Sequence, residues 1–503
     1  MRKLASAALL ALLAGCGSTV QVSSTTRGAV DGLDQGTAAT PSAATGSSGT
    51  TGPTGSAGTL GPQPAPAAQS QNGQLVPQTS GSTRASAAVG PVSGPGFTKT
   101  TIEIGISTAD DYNSFVGGTG LKGLSVQGDP NTWFAAVTRD INEHGGLLGR
   151  KIVLVPHDYN TAQTLSDPAS ANQAACTTWT QDHKVFAVLA PPIVEDTLLS
   201  CLKKTNTPLL QVGAGLDYPL HYSETYAKYP LYFNLAQMAG DRFDAIAIAR
   251  LVARRFFVPW DTSRGQQAPA SAATKIGIIS FDDHDGALQL ASLSAQLKAH
   301  GLQPAITIAC PRSLSDKVSC EQSAVLKFRS GGITHVINAD STFMNNANSQ
   351  AYYPRYFLPI EPATFAANVP AKELNGAMSE GYIPFVDVPA DQYPGDPTPA
   401  TTSCKRLMKA AGQASTDPTT LLAQMSVCDA FYFLRDAVVA ARVLGARALA
   451  SGLESLGSRA PSALTYKTFL GPDQHASAAA LRDLVYRSDL QNFVYVSKTD
   501  YTD

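Results

Sequence analysis

The stretch that decides the fold runs Asp140-Ile141-Asn142-Glu143-His144-Gly145-Gly146-Leu147-Leu148-Gly149-Arg150-Lys151-Ile152-Val153-Leu154-Val155-Pro156-His157-Asp158. Its first residues finish an amphipathic helix that the apolar spacing predicts over Asn131–Glu143. Gly145 and Gly146 can supply the left-handed conformation that ends a helix. Gly149 relieves the turn, and Lys151–Pro156 reads as a strand. A helix, a glycine turn and a strand in immediate succession are half of a βαβ unit.

The same beat continues on both sides. Strand Ile102–Ser107 precedes the helix. Helix Ala169–Gln181, strand Val185–Leu189, helix Glu195–Lys204 and strand Pro208–Val212 follow. Such alternation indicates a parallel sheet flanked by helices. A long helix, Asp241–Phe257, and a loop, Asp261–Ala273, lead into a second series. It comprises strand Lys275–Ser280, helix Ala287–His300, strand Ala305–Ala309, helix Ser319–Arg329 and strand Thr334–Asn338. After Gly376 come a strand through Gly381–Val386, helices near Ser403–Ala411 and Leu421–Leu444, and a tail ending in Asn492–Val496. Two tandem α/β blocks predict two similar lobes.

The Ile141-Asn142, Gly145-Gly146 and Gly149-Arg150-Lys151 pattern resembles the hallmark of type I periplasmic solute-binding proteins of the branched-chain amino-acid class. Weaker matches fall in order: Ile102-Glu103-Ile104-Gly105, Val185–Ala190, Phe281–Gly286, Cys428-Asp429-Ala430-Phe431, His475–Leu484 and Phe493–Val496. The resemblance covers about residues 98–503. It implies an α/β fold of two lobes, each a parallel sheet flanked by helices, joined by three crossovers. Lobe one would be about 98–234 with 386–468, and lobe two about 235–380 with 470–503. It also implies a ligand in the cleft and hinge closure around it.

Ligands of open α/β sheets bind outside the carboxyl ends of the strands. The strand-end candidates in the first lobe are Thr108, Asp110, Tyr112, Asn113, Pro191, Pro192, Ile193, Gly213, Ala214 and Gly215. In the second they are Asp282, Asp283, His284, Asp340, Ser341 and Thr342. The second-lobe candidates have a bland alternative, the run Phe281–Gly286 serving equally as a solvated turn capping the next helix, and Tyr112 of the first lobe can pack on the cleft rim. Amino-acid binders of the family hold their ligand with hydroxyls in the third and fourth loops, the third usually reading Gly-Pro-x-Ser-Ser. Here the third loop is Ala190-Pro191-Pro192-Ile193-Val194 and the fourth Gln211-Val212-Gly213-Ala214-Gly215-Leu216. The hydroxyls are missing at both, which favours a different or more apolar ligand.

The amino terminus has a separate logic. Met1-Arg2-Lys3, an apolar run from Leu4 to Ala14 and Gly15-Cys16 form a signal-peptide pattern. The run is shorter than the roughly 20 residues that span a bilayer. Leu13-Ala14-Gly15-Cys16 resembles the lipobox of bacterial lipoproteins, which implies cleavage after residue 15 and a lipid on Cys16. Residues 16–97 then read as a linker of Gly, Ser, Thr, Ala, Pro and Gln, unable to bury a core. Eighty residues of flexible coil have a root-mean-square reach of roughly 50 Å.

The formal net charge is −2, with no basic face that would call for nucleic acid. Seven cysteines are present. Apart from Cys16 they fall in near neighbours, and export favours disulfides. Of the 15 connectivities open to six cysteines, we expect Cys176–Cys201, Cys310–Cys320 and Cys404–Cys428, because each pair can link adjacent elements. The metal reading is weak, lacking Cys-x-x-Cys, and no cofactor is implied.

An enzyme is the distant alternative. The G-x-G-x-x-G run Gly118–Gly123 stands about ten residues from the strand end, where a dinucleotide fingerprint must join strand to helix directly. No G-x-S-x-G elbow, P-loop or H-E-x-x-H occurs. The expected function is therefore a lipid-anchored, extracytoplasmic substrate-binding component of an ABC importer. It would be a monomer that meets a small polar or amphipathic solute and an ABC permease. The alternative keeps the fold for sensing or interaction without transport.

Overall fold

Strand β1 (Thr101–Thr108) buries Ile102, Ile104 and Ile106 in the interior of the first sheet. It pairs in parallel with β2 (Lys151–Asp158), Thr101 opposite Lys151 and Thr108 opposite Asp158, and on its other side with β3 (Ala187–Leu189). With β4 (Leu209–Gln211) and β5 (Tyr232–Asn234) the order is β2-β1-β3-β4-β5. The computed structural model describes residues 91–119, 124–191, 193–212, 220–358, 366–388 and 398–496. All of these lie within one unit, Asn72–Asp503.

The helix Pro130–Glu143 is capped by Asp129, whose side chain accepts from the backbone N–H groups of Asn131 and Thr132. It buries Trp133, Phe134, Val137 and Ile141. Past its end, Gly145 and Gly146 adopt φ of +101° and +66°. The Gly146 N–H donates back to Ile141 O at 2.9 Å. A Cβ on Gly146 would stand 2.0 Å from the Arg150 carbonyl oxygen, so this turn admits only glycine. Asn142 then ties helix to strand. Its Nδ2 donates to Ile152 O at 3.1 Å, and its Oδ1 accepts from Ile152 N at 2.7 Å. The Asn and the Gly-Gly pair are one device, which delivers the chain into β2 beside β1.

After a short hairpin of β6 (Trp260–Asp261) and β7 (Gln266–Gln267), a second sheet forms. It contains β8 (Ile276–Phe281), β9 (Pro304–Cys310), β10 (His335–Ile337), β11 (Arg355–Leu358) and β12 (Met378–Gly381), all parallel. Antiparallel β13 (Arg482–Arg487) and β14 (Asn492–Tyr495) extend it, giving β14-β13-β12-β11-β10-β8-β9. Numbered within its own block, the parallel part repeats the 2-1-3-4-5 order of the first sheet. Two doubly wound lobes of the same topology result. In each, a switch point lies between its first and third strands.

The chain passes between the lobes three times. It leaves β5 for the helix Gly240–Ala253, which packs on the second lobe's helix His284–Ala299. After β12 it returns to the first lobe, where the helix Pro418–Ala441 packs on Pro130–Glu143. It crosses finally before β13. Beside β5 the first and third passages run together. Asn234 N donates to His475 O at 2.9 Å, Ser477 N to Asn234 O at 2.8 Å and Ala478 N to Gln237 O at 2.9 Å.

Most expected elements stand within a few residues of their predicted bounds. Others differ. The strand expected through Gly381–Val386 ends at Gly381, and Pro384 opens a short helix, Pro384–Asp387, as proline at a first helical position favours. The helix expected over Leu421–Leu444 ends at Ala441, where Arg442 turns left-handed, and Ala446–Glu454 is a separate helix. A helix at Tyr112–Thr119 follows β1 directly. Disulfides join Cys176 to Cys201, Cys310 to Cys320 and Cys404 to Cys428.

Candidate functional site

The carboxyl ends of the first sheet present a rim built from committed polar groups. Thr108 Oγ1 donates to Asp158 Oδ1 at 3.1 Å, and Asp110 N donates to the same oxygen at 3.0 Å. The Asp110 carboxylate accepts from Asn131 Nδ2 at 3.3 Å. Asp111 accepts from Thr161 N and from Asn160 Nδ2, so it secures the start of the helix Thr161–Ser166. Tyr112 and Asn113, expected in a loop, sit in the first turn of the helix Tyr112–Thr119. Asn113 folds outward onto another segment, donating to Val126 O at 2.6 Å and accepting from Val126 N at 2.8 Å.

At the first lobe's switch point, Ala190 follows β3 with φ +54°. Its N–H donates to Leu210 O at 3.0 Å, and its carbonyl accepts from Ser107 Oγ. Ile193 is buried. Pro192, Gly213, Ala214 and Gly215 lie outside the described residues, as does Cys16.

In the second lobe, Asp283 caps the helix His284–Ala299, accepting from Gly286 N at 2.7 Å. It is also paired with Arg312, whose guanidinium lies 4.6 Å over the Phe281 ring. Asp340 caps the helix Ser341–Ser349, accepting from Phe343 N at 2.9 Å, and is paired with Lys317. Lys317 reaches Glu321 at 3.3 Å as well. Burial, then the Asp340 charge, push the Glu321 carboxyl up to about 8. The capping role foreseen for Asp283 is therefore real, and Asp340 shares it. His284 and Ser341 each occupy the first position of a helix.

The structure brings Asp283, His284, Asp340 and Ser341 to one sheet end, and Thr108 and Asp110 to the other. It also exposes what the sequence reading passed over. The segment between β4 and β5 reaches across to the second lobe. His221 Nδ1 lies 2.8 Å from Asp285 Oδ2, and Thr225 Oγ1 donates to Asp285 Oδ1 at 2.6 Å. His284 Nε2 stands 3.7 Å from Glu224 Oε1. Burial opposes ionisation of Asp285, but the His221 contact, followed by Thr225 and the Arg312 charge, holds its carboxyl below the usual range. The helix Thr161–Ser166 of the first lobe comes against Leu314–Ser330 of the second. Nothing in local sequence marks these partners, because they meet only in the tertiary fold.

Among the described residues no cluster of His, Cys, Asp and Glu could hold a metal ion, and no helix is long and apolar enough to cross a membrane. A groove among the described residues lies away from these strand ends, between the helices Pro168–Thr177 and Asp196–Thr205 beside the Cys176–Cys201 bridge. It is open and lined by Gln173, Thr180, Ser200 and Lys204 among others.

No curated protein sequence matches the chain. Solved structures do. A fatty acid ABC transporter substrate-binding protein from Thermomonospora curvata aligns with a TM-score of 0.54 at 16% identity, covering 82% of this chain and 96% of that one. A solute-binding protein of an ABC transporter from R. palustris, in complex with 4-hydroxybenzoate, gives 0.53 at 11% identity, covering 80% and 97%. An ABC transporter substrate-binding protein from Desulfitobacterium hafniense, in complex with Leu, gives 0.51 at 14%, covering 79% and 100%. These likenesses concern the fold. The sequence profile of the periplasmic binding protein family matches residues 131–481, well over half of the chain. On that match, and on the two lobes and three crossovers that accompany it, this chain belongs to the periplasmic binding protein family.

Proposed function

We propose that the chain is the lipid-anchored, extracytoplasmic solute-binding component of an ABC importer, holding a small polar or amphipathic molecule between its lobes. The observation that carries this reading is the pair of like-ordered sheets, each with a switch point at its carboxyl end, linked by three passages of chain. Two α/β lobes joined by three passages of chain suit hinge closure around a ligand. Membership of the family and the solute-binding names of the similar structures support it.

The ligand is one other than a branched-chain amino acid. The third loop offers Ala190, Pro191, Ile193 and Val194 where a hydroxyl clamp would stand, and Ile193 and Val194 are buried. Among the similar structures, the named solutes include a fatty acid and an aromatic acid as well as leucine. The amino-terminal signal and Cys16 would supply the tether, and an ABC permease would be the partner. Lipidation is tested by metabolic labelling with a fatty acid, which Cys16→Ser should abolish.

Thermal-shift screening of amino acids, amides, urea and aromatic acids tests the binding role. The reading expects at least one solute to raise the melting temperature in a saturable way. A protein indifferent to the whole panel would count against it.

A further inference from the structure

The third strand of each lobe ends in the same unusual way. Ala190 follows β3 with φ +54°, and Asn338 follows β10 with φ +67°. Each donates its N–H to the neighbouring fourth strand, Ala190 to Leu210 O at 3.0 Å and Asn338 to Phe357 O at 3.1 Å. Both stand at a switch point, where open α/β sheets take their ligands. Left-handed backbone in residues other than glycine concentrates at functional sites.

Asn338 carries a second peculiarity. The residue is only 5% exposed, and its side-chain Nδ2 is buried with no hydrogen-bond partner among the described residues. A buried amide without an acceptor is costly and calls for an explanation. If left-handed backbone were the only requirement, glycine would meet it with no amide to bury. The nearby charges do not answer the amide: Asp340 is occupied by Lys317 and by the Phe343 N–H.

We propose that Asn338 is a ligand-binding residue, donating its side-chain amide to a carboxylate or carbonyl oxygen of the solute as the lobes open and close. This rests on the reading of the cleft as the solute site. It assigns the ligand an oxygen acceptor turned toward the second lobe, and it moves polar recognition away from the first-lobe loops that lack hydroxyls. An ammonium or other pure donor has nothing to offer an N–H group.

The test uses the mature chain and two skeletons in three forms: butyrate, butyramide and butylamine, and benzoate, benzamide and benzylamine. Binding is followed by thermal shift and calorimetry. The expected result is that acids or amides bind and amines do not. Asn338→Gly, which keeps the left-handed backbone and removes the amide, should bind the same compound about tenfold more weakly or worse, with an unliganded melting temperature no lower than the parent's. Asn338→Asp, which keeps the shape but replaces the donor with an acceptor, should lose carboxylates more completely than amides. Equal affinity in Asn338→Gly, or binding confined to the amines, overturns the proposal while leaving the cleft reading intact. A parent protein that answers to none of the six compounds and to none of the wider panel overturns both.

Discussion

His221 Nδ1 and Asp285 Oδ2 lie 2.8 Å apart and bridge the two lobes, the histidine arriving from between β4 and β5 and the aspartate from the first turn of His284–Ala299. His221 is almost wholly buried and Asp285 nearly so. Thr225 takes the second carboxylate oxygen. Because these partners hold the Asp285 carboxyl below its ordinary range, its contribution to stability is present above the unfolded value of about 3.9. That contribution is lost as pH falls through the lower folded value. Asp285→Asn should therefore cost about 1–3 kcal/mol near pH 7. The gap to the parent should narrow as pH drops below about 4. Urea unfolding across that range checks both the size and the sign.

The turn that feeds β2 makes a sharper prediction. Gly145 and Gly146 both have positive φ, yet only Gly146 has a backbone oxygen where a Cβ would go. Gly145→Ala should cost about 1 kcal/mol from backbone strain alone. Gly146→Ala must also move the Arg150 carbonyl and should cost at least about 3 kcal/mol. Equal losses in equilibrium unfolding would contradict this account of the turn.

A third expectation concerns a buried acid. Asp429, on the helix Pro418–Ala441, accepts from Ser462 Oγ at 2.6 Å and from the Ala463 N–H. Burial nevertheless pushes its carboxyl up to about 7. A folded value above the unfolded one means its stabilisation is complete below about pH 4 and is lost as pH rises through about 7. The parent's melting temperature should fall over that interval. Asp429→Asn should start lower and lack that part of the decline.

Removing the Cys310–Cys320 bridge tests the second lobe's rim. It closes a sequence separation of 10 residues and frames the segment that carries Arg312, the partner of Asp283. The double change Cys310→Ser with Cys320→Ser should lower stability by roughly 2–3 kcal/mol. It should also open the peptide after Arg312 to trypsin under native conditions, where the parent resists.

Much of the architecture was legible because apolar runs and glycine turns obey local rules. Ile102, Ile104 and Ile106 announce a buried strand, and Gly145-Gly146 announce a helix end. Where local rules compete, the reading slipped. Tyr112 and Asn113 read as a strand-end loop, yet the fold forms a helix at Tyr112–Thr119 despite Gly117 and Gly118, which are poor helix formers. Pro384 marked a helix start that the surrounding apolar residues disguised as strand. Strand β5 is three residues long and carries no alternation to read. In the site, Asp283 and Asp340 were visible as strand-end acids, since the same residue type caps the next helix. Asn338, and the His221–Asp285 bridge, were not. A left-handed φ, an unanswered amide and a contact spanning 64 positions exist only once both sheets are assembled.

The central claim is that two hinged lobes close on a small solute. Small-angle X-ray scattering of the protein with and without a saturating hit from the solute panel tests it most directly. The account predicts a smaller radius of gyration on binding, saturating at one solute per chain. A bound solute that leaves the scattering curve unchanged, or a stoichiometry other than one, would contradict it.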